Sequence, residues 1–576
     1  MSTPKGIFLE LIKPDGQPER QLCQYEALHM CLTDPINTYL RGNRKRGTVS
    51  KDRWGTTISF PEDAPGPIPV HTPELSVCTD VTRWKETIHV PDLSVCSEGW
   101  EECRTRSRAA ADAEGKLLAG FMGTGIFEQC HFLMGFEDTL TALYEHPDEM
   151  HELIETITQY RLDYVRRLID GLQPDVIFSH DDWGTKNALF MKPDMWREFF
   201  KEPYRRFYGY IRSRGVIAIH HADSYLVPIV DDMAEIGIQV WQGTLPENDI
   251  PALQRHLSGK LTLMGGFGAA IDRADAQPDE ILAYARDTLA RCCPGGHFIP
   301  SITYGLAGTV FPHVDQYLNQ AVNEYNAGLH IPVTPLTAVP KREIGAAKAE
   351  VVQAATSAQE SADVFENIAR ALERGQQKKL LTLCQQALDE GCGPGDILSR
   401  GMIVGMNRLG EAFSANRAFV PEMLMAARCM SAATELLKPL MVGEGTEPVG
   451  RVCLGTVKGD MHDIGKNLVK IMMEGSGIEV FDLGVDTSAE QFVSTAVENH
   501  CGVIACSSLL TTTMEEMREV VKLVHERGLQ NQIKVMVGGA PISQSFCDEI
   551  GADYYAEDAG AAASEAVAIL KAQKAS

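Results

Sequence analysis

The stretch Gly459-Asp460-Met461-His462-Asp463-Ile464-Gly465 constrains the fold of this 576-residue chain more than any other. It follows a short apolar run, Val452 to Val457, and leads into Ile464, Leu468, Val469, Met472 and Met473, spaced as one face of a helix. A strand is therefore expected to end in a loop that opens a helix, with Asp460 and His462 in the loop. An imidazole there can give one ring nitrogen to a metal while its other N–H bonds a carboxylate, which fixes the tautomer and makes the ligand more basic. Gly465 lets the backbone come close to a bulky ligand. Taken alone, the pattern also fits a plain turn with a capping Asp.

Length and composition bound what such a loop can belong to. A chain of 576 residues is too long for one core, and two to four domains are expected. Hydrophobic content of 44% and charged content of 23% are those of globular protein, and no apolar run reaches the 18 residues of a membrane span. The first twenty residues have neither the apolar core nor the cleavage site of a signal peptide, and fifteen cysteines are scattered without a framework of spacings. A cytoplasmic location with reduced thiols is the expectation. A net charge of −25 argues against nucleic acid and against an anionic membrane surface as main partners.

The residues downstream decide how the loop is read. Between Gly465 and Ser507 lie 41 residues, then Ser507-Ser508-Leu509, and 28 residues separate Leu509 from Gly538-Gly539. This order and spacing resemble the cobalamin-binding domain of methionine synthase and its relatives. The resemblance implies that His462 is the lower axial ligand of cobalt, in place of the cofactor's own base, with Asp460 as its hydrogen-bonded partner. It also implies that the displaced nucleotide tail runs past Ser507, flanked by Leu509 and Thr511, into room left by Gly538 and Gly539. Apolar runs at Val452 to Val457, Ile478 to Leu483, Val503 to Cys506 and Lys534 to Val537, with a short one near Tyr554, alternate with helical patterns as in a doubly wound sheet, which binds ligands at the carboxyl ends of its strands.

Before this domain, Asp363 to about Val442 reads as four amphipathic helices, with breaks at Gly391 to Gly395 and Ala415 to Ala418. The run from Gly401 through Phe419, Val420, Pro421, Glu422, Met423 and Met425 resembles the helical cap of the methionine synthase family. That likeness makes Phe419 and Met423 candidates to cover the cofactor's upper face; at helical spacing the two also fit bundle core.

From about 115 to 325, short apolar runs alternate with helical patterns, which predicts βα units and a parallel sheet. Polar residues follow the runs: His180, Asp181 and Asp182 after Asp175 to Ser179; His220, His221 and Asp223 after Val216 to Ile219; Glu247 soon after Gln239 to Trp241; Ser301, Thr303 and Tyr304 after His297 to Ile299. Polar groups at the carboxyl ends of several strands are the pattern of a TIM-barrel active site. Asp182, His220, His221, Asp223 and Tyr304 are the candidate catalytic residues. The segments HDDWG (180 to 184), IHHADSYLVPIVDDMAEIG (219 to 237), LMGGFG (263 to 268) and GGHFIPSITYG (295 to 305) resemble the corrinoid-dependent methyltransferase branch of the uroporphyrinogen decarboxylase superfamily.

One departure from that branch matters. Where many of its members hold zinc through His-x-Cys and a later Cys, this chain has His221-Ala222-Asp223 and Ser301 or Ile302. A thiolate-activating zinc site is not expected, although His220, His221, Asp223 and Glu247 could hold a harder metal. Residues 1 to 110 are the least legible; their cluster Arg41, Arg44, Lys45 and Arg46 could hold an anion or be a solvated loop.

The expected architecture is α/β and multidomain. Residues 1–330 form a uroporphyrinogen-decarboxylase-like TIM-type (β/α)8 barrel with an N-terminal extension, 331–358 a Pro-, Ala- and Thr-rich hinge, 359–445 the four-helix cap, and 446–576 a doubly wound Rossmann-like (flavodoxin-like) cobalamin domain. The resemblance implies an enzyme that moves a methyl group from a small substrate to Co(I) of its own cobalamin, giving methyl-Co(III) for onward transfer. The fusion is similar to the architecture of chloromethane methyltransferases. The missing cysteines and the His- and Asp-rich pocket favour a methyl ether, with aryl O-demethylation preferred, over a methyl halide; a corrinoid carrier without catalysis is the third reading. A second methyltransferase passing the group to tetrahydrofolate and a reductive activator of cobalt are the implied partners. An adenosylcobalamin mutase would lack a cap directly before the motif, and a cobalamin sensor would need a DNA-binding element.

Overall fold

The computed structural model describes residues 3–42, 45–60, 67–72, 74–304, 310–328, 363–415, 417–441, 448–460, 464–508, 513–539 and 542–575. The chain divides into two compact units, Met1–Glu350 and Val351–Ser576. The expected hinge, 331–358, lies outside the described residues. Among those described, no helix is long and apolar enough to cross a membrane.

The first unit is built on seven parallel strands paired in sequence order: β1 (Leu28–Cys31), β2 (Leu117–Met122), β3 (Val176–His180), β4 (Ile217–His221), β5 (Val240–Thr244), β6 (Thr262–Phe267) and β7 (Phe298–Ile302). Strands such as Leu117–Met122 are buried along their whole length, which is why they read as continuous apolar runs rather than alternating ones. The inward residues Leu28, Ala119, Phe178, Ile219, Met264 and Ile299, drawn from six of the strands, pack in one cluster. The segment before β1 bridges the remaining gap: the Gln24 backbone N–H donates to Pro300 O at 3.0 Å, and Gln24 Oε1 accepts from the Ile302 N–H at 3.3 Å. The expected barrel is thus present as seven strands with an irregular segment in the eighth position. Its first strand lies within the region read as an N-terminal extension, which also carries a small antiparallel sheet of Thr48–Lys51, Thr57–Phe60 and Ile68–Pro69. Of the outer helices, α1 (Ile126–Met134) and α2 (Glu202–Ser213) bear on the site.

The second unit opens with the helices α3 (Val364–Glu373), α4 (Gln377–Asp389), α5 (Ile403–Ser414) and α6 (Val420–Met441); a π-type turn over Ile397–Met402 leads into α5. A five-stranded parallel sheet follows, of β8 (Arg451–Thr456), β9 (Glu479–Asp482), β10 (Val503–Ser507), β11 (Lys534–Gly538) and β12 (Tyr554–Ala556), in the order β9-β8-β10-β11-β12. This is the flavodoxin-like order, whose switch point falls between β8 and β10. Helix α7 (Ile464–Gly475) returns from β8 to β9. Cap and sheet share one apolar core, with Leu372, Met406 and Ala433 of the cap packed with Val452, Val503 and Met536 of the sheet.

Glycines set how closely α5 meets α7. A Cβ on Gly475 would stand 2.5 Å from Met406 Cγ, and one on Gly410 would stand 2.8 Å from Met472 Cε, so each helix offers a glycine gap to a methionine of the other. Gly475→Val overfills one gap and is expected to destabilise the unit by about 1–3 kcal/mol. Hydrogen exchange resolved by peptide should accelerate in α5 and α7 together; unchanged protection of both would refute the packing described.

Candidate functional site

In the second unit, the switch point brings Thr456 and Ser507 side by side at the ends of β8 and β10, with the Val457 N–H donating to Ser507 O at 3.0 Å. The loop leaving β8 turns at Gly459, whose φ of +79° favours glycine and whose N–H donates to Asp486 Oδ1 at 2.7 Å. Asp460 follows, its side chain fully buried. Asp460 Oδ2 accepts from Ser508 Oγ at 3.2 Å and from Thr513 Oγ1 at 3.1 Å, and those two hydroxyls are 2.9 Å apart. Burying a carboxylate is costly unless it is hydrogen-bonded, so these hydroxyls are what permit Asp460 there. His462, Leu509 and Thr511 lie outside the described residues.

Ser507 ends its strand half-buried, while its neighbour Ser508 is the serine that reaches Asp460. Gly539 has φ +130°, and a Cβ there would stand 1.9 Å from Ser508 O; one on Gly538 would stand 3.1 Å from Ala556 O. Both positions keep the sheet edge clear of side chains. Gly465 has open space where a Cβ would stand and does not adopt a left-handed conformation, so room rather than backbone freedom is its contribution.

Lys466, one residue on, is a site residue that sequence reasoning missed. It is 2% exposed, and its Nζ donates to both carboxylate oxygens of Asp482 at 2.7 and 2.8 Å, tying the first turn of α7 to the end of β9. Burial pushes the Asp482 carboxyl up, but the Lys466 ammonium and the Gly484 N–H outweigh it and hold the group below its ordinary value. At the cap, Phe419 is half-buried before α6, with its N–H donating to Glu422 Oε2 at 3.0 Å. Met423 is wholly buried in the core shared by cap and sheet, the packing alternative for this residue.

In the first unit, the register of β3, β4 and β5 aligns His180 with His221 and His221 with Gln242. These share strand parity with the inward Phe178, Ile219 and Val240 and form a row across three strands. The His180 and His221 rings stack at 4.5 Å and 18°. His180 Nδ1 bonds Glu128 Oε2 at 3.0 Å, from the first turn of α1, and His180 Nε2 lies 3.9 Å from Asp182 Oδ2. His221 Nδ1 bonds Gln242 Oε1, while Gln242 Nε2 donates to Ile302 O at 3.3 Å. Asp182 Oδ1 accepts from the Asp223 N–H at 3.1 Å and from Ser224 Oγ at 3.5 Å. Ligand atoms of His180, Asp182 and His221 lie within 4.8 Å of one another and could hold a metal ion.

Burial lowers His180, but the carboxylates of Glu128, Asp182 and Asp223 outweigh it and raise its pKa to about 10. Burial, then the charge of His180, pushes His221 down to about 4, and burial with the charge of Asp182 raises the Asp223 carboxyl well above its ordinary value.

Three expectations are corrected. His220, one residue from His221, has the opposite parity and points into the outer layer: Nδ1 bonds the Tyr208 hydroxyl of α2 at 2.7 Å, and the ring stacks on Trp183 at 4.1 Å. It is fully buried and held neutral by that burial, so it belongs to packing rather than to the pocket. Tyr304 donates its hydroxyl to Asp272, with no hydrogen bond to His180, Asp182 or His221 among the described residues. Glu247 is exposed on the turn Pro246–Asn248 and does not join the cluster. Asp181, beside the cluster, accepts from the Phe127 and Glu128 N–H groups at 3.0 and 2.9 Å and so anchors the start of α1.

Comparison with known proteins extends this picture. A B12 binding domain model matches residues 450–568, another B12 binding domain model matches 364–438, and a uroporphyrinogen decarboxylase (URO-D) model matches 48–325. Dimethylamine corrinoid protein 1 of Methanosarcina acetivorans is 39% identical over 209 residues, 36% of this chain and 98% of that protein. The chain belongs to the corrinoid protein family. Dimethylamine corrinoid protein 2 of Methanosarcina mazei is 43% identical over 178 residues, 31% of this chain and 83% of that protein, and a corrinoid protein of Desulfitobacterium hafniense is 38% identical over 210 residues, 36% and 97%. These relatives are accounted for almost wholly by a length equal to the cap and sheet, whereas this corrinoid protein carries a URO-D-like barrel in the same polypeptide.

Its cofactor is a corrinoid, and joining that module to a methyltransferase-like barrel makes corrinoid-dependent methyl transfer its chemistry. The switch point fits such a group: the glycine edge at 538 and 539 is free of side chains, and a buried, hydroxyl-held carboxylate stands two residues before His462.

Two outcomes follow for this corrinoid protein. Because Asp482 is held below its ordinary pKa, its contribution is present above the ordinary carboxylate range and is lost as pH falls through it. Lys466→Met is expected to cost about 1.5–3 kcal/mol at pH 7 and to flatten the loss of stability between about pH 5 and 2; urea unfolding read at both ends of that range checks it. His220→Ala is expected to lower stability by about 2–4 kcal/mol, read as a drop in the thermal unfolding of the barrel unit. A melting curve that did not move would return His220 to the pocket.

Proposed function

We propose that this corrinoid protein demethylates an oxygen-linked methyl group, with an aryl methyl ether favoured, the barrel holding the substrate and the chain's own corrinoid accepting the methyl group. One observation carries the reading. The groups that meet at the carboxyl ends of β3 and β4 are imidazoles and carboxylates, and none of that cluster is a thiol. A thiol-free cluster suits a leaving oxygen better than an incoming thiolate. An alkoxide or phenoxide leaves poorly unless it meets a proton or a cation as it departs, and a positioned acid contributes about 10²- to 10⁴-fold. When bound, the corrinoid supplies the cobalt(I) nucleophile. The barrel's share is orientation and leaving-group stabilisation, assigned to His180, Asp182 and His221, with Asp223 bonded to Asp182 through its backbone.

In the cap and sheet, the resemblance assigns cobalt coordination to His462, with Asp460 as its partner, and the nucleotide tail to Ser507, Leu509, Thr511, Gly538 and Gly539. Phe419 and Met423 are the cap residues assigned to the upper face. A second methyltransferase, passing the group to tetrahydrofolate, and a reductive activator complete the cycle.

Two other readings have their own support. The name of the relatives, dimethylamine corrinoid proteins, brings methylated amines into consideration, although they align with only 31–36% of this chain. A methyl halide would need little more from the barrel than a hydrogen bond, because its leaving anion is stable.

Anaerobic absorption spectroscopy of the cobalt(I) holoprotein, mixed in turn with methoxylated aromatics, simple methyl ethers, chloromethane and dimethylamine, tests the proposal. Loss of the cobalt(I) spectrum with the methoxylated aromatics is expected, slowed at least about tenfold in Asp182→Asn and His221→Ala. Conversion by chloromethane or dimethylamine alone would overturn the ether reading, and conversion by none in folded, corrinoid-loaded protein would leave a carrier. His462→Ala should alter the cofactor's absorption and electron-paramagnetic-resonance spectra.

A further inference from the structure

We propose that the barrel holds a divalent first-row transition metal of the zinc class, bound by His180 Nε2, His221 Nε2 and Asp182 Oδ2. The hydrogen bonds behind these three side chains carry the argument. His180 Nδ1 faces Glu128 Oε2, and His221 Nδ1 faces Gln242 Oε1; both partner atoms accept, the Gln242 amide being oriented by its Nε2 donating to Ile302 O. Each ring therefore has a proton on Nδ1, and Nε2 is the nitrogen an ion would take, His180 giving up the second proton it carries when the site is empty. Metal-ligating histidines are oriented in this way, the second N–H held by a carboxylate or an amide oxygen.

Asp182 is prepared in the same sense. Its Oδ1 is engaged by the Asp223 N–H and by Ser224 Oγ, which turns Oδ2 towards His180 Nε2 at 3.9 Å. That is too long for a hydrogen bond. It is close to the separation of two ligands on one tetrahedral ion, which at bond lengths near 2.1 Å is about 3.4 Å. The three ligand atoms, within 4.8 Å of one another, need close by only about 1 Å to share an ion.

Charge points the same way, because the Glu128 and Asp182 carboxylates lie 3.0 and 3.9 Å from the two ring nitrogens of His180. Two nitrogens and one carboxylate suit zinc, manganese or iron(II), and three protein ligands leave a position open to substrate, as in catalytic zinc sites. The ligand set is not the sulfur-based one whose cysteines this chain lacks. It takes two of its members from the end of β3 and needs neither Asp223 as ligand nor residue 301.

For its role alone the inference rests on the ether reading. As the methyl carbon–oxygen bond breaks, both electrons stay on oxygen and the ion takes up that anion, while the nucleophilic cobalt provides the pair for the new bond to carbon. The metal changes no oxidation state.

The test uses the full corrinoid-loaded chain, freed of loosely held ions by chelator and titrated with Zn²⁺ in a calorimeter, with zinc and cobalt counted separately by mass spectrometry. One zinc per chain is expected, with a dissociation constant of about 1 μM or below. His221→Ala and Asp182→Ala should lose it, and Glu128→Gln and Gln242→Leu, which touch no metal, should weaken it by about 10- to 100-fold. Glu128→Gln is nearly isosteric and keeps the test open should an alanine variant fail to fold. Absence of zinc, manganese or iron(II) binding tighter than about 100 μM in the folded chain, or binding unchanged in these variants, would overturn the site. A chain that binds zinc as expected yet demethylates no ether keeps the site and loses the oxygen reading; ether demethylation at full rate in zinc-free chain keeps the oxygen reading and removes the ion from the reaction.

Discussion

A parallel sheet ends all its strands at one edge, and both units of this chain depend on that constraint. Right-handed crossovers carry every helix back to the start of the next strand, so the loops at the carboxyl edge are the ones free to differ. In the barrel this edge collects His180 and His221, the last residues of β3 and β4. In the sheet it collects the Gly459 turn, Asp460 and the glycines after β11. Two unrelated pieces of chemistry therefore reach the surface by the same geometric rule, each beside a buried carboxylate that a helix start or a pair of hydroxyls holds in place.

The two edges were unequally legible in the sequence, for a physical reason. In the sheet the sequence signal is one of spacing: the Gly459–Gly465 loop, a serine and a glycine pair stand at the distances the resemblance requires, and one large rigid ligand of the kind proposed would span all three. The barrel has no such ruler. Strands β3 and β4 are apolar on both faces, so alternation does not say which parity is inward, and His220 and His221 are indistinguishable until the core is known. The strand Leu28–Cys31, four residues among turns and polar neighbours, gave no periodic signal at all. Glu128 was equally silent, since it reaches the cluster from a helix 52 residues before His180 in sequence.

Ser508 and Lys466 were missed differently. Both stand next to residues that the resemblance singled out, Ser507 and Gly465, and both serve the protein rather than the cofactor. Ser508 supports Asp460, and Lys466 ties α7 to β9. A motif read for its ligand contacts passes over the residues that keep the motif's backbone in position, although the cost of a buried, unpaired carboxylate makes such partners necessary.

The electrostatic demands of the two edges also differ, and the difference bears on why both belong in one polypeptide. Asp460 is met by the neutral hydroxyls of Ser508 and Thr513, which hold the carboxylate without adding charge. The barrel cluster instead sets the carboxylates of Glu128 and Asp182 against two stacked imidazoles. Two of the corrinoid relatives are covered to 97–98% of their own length by 36% of this chain, whereas this chain also carries a URO-D-like segment, so one barrel is tethered to each corrinoid module. Tethering fixes the stoichiometry of the two modules at one to one.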